Sequence, residues 1–79
     1  MDRNNQDEIK AHLMQTNEHF RQISEQHHEY DRLVDVLENK SVLTPEEELE
    51  EHRLKKIKLQ LKDEMEHMVS AYKLQHVGG

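Results

Sequence analysis

The sequence contains no cysteine. That removes disulfides, thiolate zinc sites and cysteine nucleophiles together. Tryptophan is absent too, and Phe20, Tyr30 and Tyr72 are the only aromatic residues. Two glycines and one proline are too few for a turn-rich β fold. No apolar run approaches the roughly 20 residues that a membrane-crossing helix needs. The opening residues, Met1 to Glu8, lack the apolar stretch of a secretory signal, so a cytoplasmic location is expected. With 79 residues the chain holds one domain at most, near the lower limit of independent stability.

What is present is charge. Charged residues make up 35% of the chain against 33% apolar, which argues for an elongated helical protein rather than a thick globular core. The net charge of −6 opposes non-specific attraction to nucleic acid or anionic lipid. Seven histidines make that charge pH-dependent, because protonating all of them moves it from −6 to +1.

The apolar positions set the fold class. Ile9, Leu13, Phe20, Ile23, Tyr30, Val34 and Leu37 follow one another at steps of four, seven, three, seven, four and three. These steps trace one helix face with polar interruptions at Thr16 and His27. They predict a helix over about 7–39, with residues 1–6 as a flexible tail. Thr16-Asn17 has the chemistry of a helix cap and leaves open a break at that point. The pattern stops in a loop over 40–44.

Thr44-Pro45-Glu46-Glu47 then reads as a helix start. Thr44 suits the N-cap, Pro45 the first helical position, and Glu47 completes a capping box. Leu54, Ile57, Leu61, Met65, Met68 and Tyr72 form one face of the helix that follows, expected over about 45–75. Residues 77–79 are expected as a second flexible tail, since Gly78-Gly79 follows a helix end. A short loop between two long helices makes them antiparallel neighbours. The expected architecture is all-α, a two-helix antiparallel hairpin over 7–76 with coiled-coil-like packing, open to association into a four-helix assembly. With the loop centred near 42–43, the acidic run Glu25, Glu29, Asp31, Asp35 and Glu38 comes beside the basic run Arg53, Lys55, Lys56, Lys58 and Lys62.

Two segments carry a family resemblance. Leu54-Lys55-Lys56-Ile57-Lys58-Leu59-Gln60-Leu61-Lys62-Asp63-Glu64-Met65 is similar to the signature Leu-Lys-Lys-x-Lys-Leu-x-Leu-Lys-Asp-Glu-Met of the small bacterial YdcH-like proteins. His27-x-x-Tyr30-Asp31-x-x-Val34 resembles the same family's His-x-x-Leu-Asp-x-x-Ile, with Tyr30 in place of an aliphatic residue. The likeness spans about 19–72. It implies a helical hairpin of no established function and brings no catalytic residues.

Candidate sites follow from the residues. His27 sits on the apolar seam with Asp31 one turn later, the spacing of a pH-sensitive pair or of a polar residue that fixes register. Arg53, Lys55, Lys56, Lys58 and Lys62 form a candidate basic patch, though without interleaved aromatics and with acidic runs on both sides. The pairs Glu8–His12, Glu48–His52 and Asp63–His67 lie too far apart to converge on one metal ion. Leu59 and Val36 lie off the seam and are the candidate outward interaction surface.

No phosphate loop or nucleophile motif is present, and a two-helix rod offers no concave pocket. The expectation is a protein that is not an enzyme and needs no cofactor. It acts by self-association or by docking on a helical protein, with no membrane, nucleic-acid or small-molecule partner. An RNA- or ribosome-associated role for the basic block is the alternative, and acid sensing through the histidines a further one.

Overall fold

A computed structural model describes residues 6–77. It is all-helical, with three helices and, among the described residues, no strand. Helix α1 spans Gln6–Thr16, α2 spans Glu18–Glu38 and α3 spans Pro45–Val77. The tails expected at 1–6 and 77–79 fall outside the described residues, except that Gln6 already opens α1 and Val77 closes α3.

The expected first helix is therefore two helices, and Asn17 separates them. Its backbone is extended, at φ −126° and ψ 108°, and its side chain accepts the Phe20 N–H at 3.0 Å. Asparagine suits this role because its short amide competes with the backbone and satisfies an orphan donor at the start of a helix. Thr16 ends α1 by donating its hydroxyl back to the His12 carbonyl at 2.9 Å. From the second turn of α2, Arg21 donates to the Met14 carbonyl at 3.0 Å. That bond supplies a partner to one of the carbonyls α1 leaves open and sets a cation at the negative end of its dipole.

The bend folds α1 back onto the pair made by α2 and α3. Ile9 and Leu13 of α1 pack with Phe20 of α2 and Val69 of α3, and Met14, Met65, Met68 and Tyr72 close around them. Flexible thioethers suit a junction of three helices, where the gaps are irregular. Val69 lies outside the face read from the sequence, yet it is 2% exposed. It stands on the flank of α3 that α1 covers, so a third helix widens the buried face at this end.

Helices α2 and α3 lie side by side and antiparallel, joined through 39–44. The seam between them buries Ile23, Val34 and Leu54. His27, Tyr30, Ile57, Leu61 and Met65, expected on the same seam, are half-buried. The capping box forms in full. The Thr44 N–H donates to the Glu47 carboxylate at 2.9 Å, and the Glu47 N–H donates to the Thr44 hydroxyl at 3.1 Å. Lys40 reaches across the loop to the same carboxylate. The molecule is 53 Å long, about the length of α3 alone at 1.5 Å per residue.

Candidate functional site

The basic block is largely occupied by acids of its own chain. Lys58 donates to Asp31 at 2.9 Å, and Lys55 lies 2.7 Å from Glu38 and 3.7 Å from Glu51. Arg53 pairs with Glu50 one turn before it. Lys56 and Lys62 make no ion pair among the described residues. Lys58 meets Asp31 about one turn nearer the loop than a register centred on 42–43 requires, because long lysine stems reach along the rod.

These pairs leave a signature in the carboxylates. The hydrogen bond from Lys58, then its charge, holds Asp31 below the usual aspartate value. Lys55 does the same to Glu38, and Glu38 in turn raises Lys55. Glu29 is lowered by its bonds from Arg32, at 2.7 Å, and raises Arg32 in return. Glu47 is lowered by Lys40 and then by the Thr44 backbone.

His27 sits beside the Lys58–Asp31 pair. Burial is the largest cause of a lowered imidazole pKa. Asp31 opposes it, while Lys58, Lys62 and His28 add to it. The carboxylate one turn along thus serves Lys58 first, and the histidine favours its neutral form.

Val36 and Leu59 are both exposed, at 51% and 58%. They do not share a surface. At about 100° per residue, Val36 projects from the side of α2 opposite its seam, and Leu59 from the side of α3 opposite its own. One partner helix cannot cover both. Leu49 and Leu74 are exposed on the same outer side of α3 as Leu59, separated by charged and polar residues.

Two flanks remain, and they differ. One carries Asp31 and Glu38 from α2 with Glu51, Lys55, Lys58 and Lys62 from α3, and it is laced with ion pairs. The other carries Gln26, Tyr30, Leu33 and Leu37 from α2 with Ile57 and Gln60 from α3. Tyr30, Leu33, Leu37 and Ile57 are half-buried there, and both glutamines are exposed. The His19–Glu64 contact, 3.1 Å between Nε2 and Oε2, marks one end of this flank, and the Arg53–Glu50 pair lies toward the other. Sequence reasoning missed this flank because the apolar spacing takes Leu37 as a seam residue and passes over Leu33, Gln26 and Gln60.

Beyond His19 the same side opens into a cleft of about 240 Å³ between α1 and α3, lined by Leu13, Asn17, Met68, Ala71, Tyr72 and Gln75. The His12 and Tyr72 rings meet nearby at 5.3 Å, tilted by 56°. No group of three or more metal-ligating side chains forms among the described residues. No described helix is long and apolar enough to cross a membrane.

No curated protein and no solved structure matches the chain. One family model does, over residues 20–69, and its description is a protein family of unknown function, DUF465. The match covers most of α2, the loop, the capping box and two thirds or more of α3, the elements that make the seam and both flanks. The chain belongs to the DUF465 family, which includes the YdcH-like small helical proteins.

Proposed function

We propose that the chain is a non-enzymatic interaction module that works in the cytoplasm by packing helix against helix, on a second copy or on a helical protein. One observation carries this reading. Along the loop-proximal half, the seam between α2 and α3 leaves Tyr30, Leu33, Leu37, Ile57 and Leu61 only half-buried. Two helices bury a line of side chains but not a volume, so a further helix has apolar area left to cover. The packing unit is the hairpin of α2 and α3, with α1 as a cap at its far end, and two such hairpins side by side would make a four-helix assembly.

Sedimentation equilibrium at pH 7.4 over a wide concentration range, followed by cross-linking with a cell lysate, tests the reading. A dimer or a specific cross-linked helical partner supports it. A monomer with no partner overturns it.

The RNA-binding alternative has less to work with, because Arg53, Lys55 and Lys58 already face acids of the chain. It requires binding that falls steeply with salt, with Lys56 and Lys62 carrying most of the slope. The acid-responsive alternative rests on His27 between Lys58 and Lys62. It requires a change of assembly between pH 7 and 5 that a His27→Asn variant lacks.

A further inference from the structure

The two flanks of the α2·α3 pair face the same obstacle to association. The chain carries a net charge of −6, so any two copies repel unless they meet where charge is scarce. The ion-paired flank does not offer such a place. Lys55 and Lys58 have carboxylates already, and a second copy would bring the same lysines and the same acids to the same positions.

The other flank does. Between the His19–Glu64 contact and the Arg53–Glu50 pair it presents Gln26, Tyr30, Leu33, Leu37, Ile57 and Gln60. Four of these are half-buried side chains with apolar area still open. The other two are amides, each with donors and an acceptor, so an amide of one copy satisfies an amide of another with no opposite charge required. Such a surface is its own complement, which a two-fold contact demands.

We propose that the neutral flank, and not the outward Leu59 and Val36, is a dimerisation surface for a second copy of this chain. The inference rests on the interaction reading above and adds to it the surface and the occupant. The flank runs along both helices, so two copies meet as four helices with Tyr30, Leu33, Leu37 and Ile57 from each between them. Leu59 and Val36, on opposite outer sides, stay exposed in that assembly.

The test is sedimentation equilibrium of the wild type, of Gln26→Glu/Gln60→Glu, and of Leu59→Lys, each checked for helicity by far-UV circular dichroism. Both glutamines are exposed helical positions where glutamate is well tolerated, so the double variant keeps its fold. The wild type is expected to dimerise. The double variant should associate on the order of tenfold more weakly, because like charges then face each other across the contact. High salt should restore much of that loss by screening, and Leu59→Lys should leave association unchanged.

Equal association of the wild type and the double variant overturns the surface. So does dissociation by Leu59→Lys alone, although helix-on-helix packing would stand. A wild type that stays monomeric at every concentration overturns the second copy as occupant, and the broader reading then depends on capture of a different helical protein.

Discussion

The two ends of the molecule are built differently. At the far end three helices meet, and Ile9, Leu13, Phe20 and Val69 form a small closed core. At the loop end two helices run side by side, and Val34 and Leu54 are the buried side chains, with the rest of the seam half open. There the connection is fixed by polar contacts: the Thr44–Glu47 capping box, Lys40 on Glu47, and lysines from α3 on acids from α2. A third helix of 11 residues is enough to turn a line of contacts into a volume. Where that helix is missing, local hydrogen bonds define the geometry and apolar surface is left over.

The contrast can be broken most severely at the closed end. Phe20→Ala removes a fully buried ring and should cost about 3–5 kcal/mol, most of the stability of a chain this small. A urea titration followed by circular dichroism should find the variant largely unfolded. A loss below about 1 kcal/mol would mean the core at this end is not packed as described.

At the loop end Thr44→Ala should cost about 0.5–2 kcal/mol, the usual range for a lost N-cap. The same titration reads it, and Thr44→Ser should recover most of the loss. Asn17→Ala probes the junction itself and should cost about 1 kcal/mol through the lost cap. Alanine also favours helix, so the far-UV signal per residue should hold or rise in that variant rather than fall. A drop in helicity would show that Asn17 holds α1 together and does more than turn it.

Acid comes next. The folded chain keeps His27 neutral to lower pH than the unfolded chain does. Stability should therefore begin to fall as pH drops below about 6.5, where the unfolded imidazole takes its proton first. The groups around it are Asp31 and His28 on α2 with Lys58 and Lys62 on α3. His27→Asn should flatten that part of the pH profile of the urea midpoint. The lowered carboxylates Asp31, Glu38, Glu29 and Glu47 act in a separate window. Their contribution is present above about pH 4 and is lost as pH falls through their folded values.

The smallest effect belongs to the exposed ion pairs. Asp31→Asn should leave the melting temperature nearly unchanged at physiological salt, because solvent and ions screen the contact with Lys58. A large destabilisation would mean that the lysine flank holds the helices together and does not merely set their register.

Much of this was legible in the residues. Thr44-Pro45-Glu46-Glu47 announced its capping box, since a cap depends on four adjacent positions and little else. The apolar spacing announced helices and placed Ile9, Leu13, Phe20, Ile23 and Val34 on an inward face. Asn17 was ambiguous for a physical reason. The step of seven from Leu13 to Phe20 keeps the heptad running through it, so periodicity argues for continuity while cap chemistry argues for a stop. Val69 was out of reach because its burial comes from α1 folding back, a tertiary event that no local spacing encodes. Leu59 and Val36 read as off the seam and are exposed, but their opposite directions emerge only when both helices are placed together.

The single residue between α1 and α2 has one more consequence. Asn17 ends one ladder of backbone hydrogen bonds and begins another, with the Arg21 guanidinium spanning the gap to the Met14 carbonyl. The amides of α1 should therefore exchange with solvent deuterons through openings of that segment that leave the α2·α3 pair in place. Exchange followed residue by residue would then read α1, which forms a wall of the open cleft, as a unit separate from that pair.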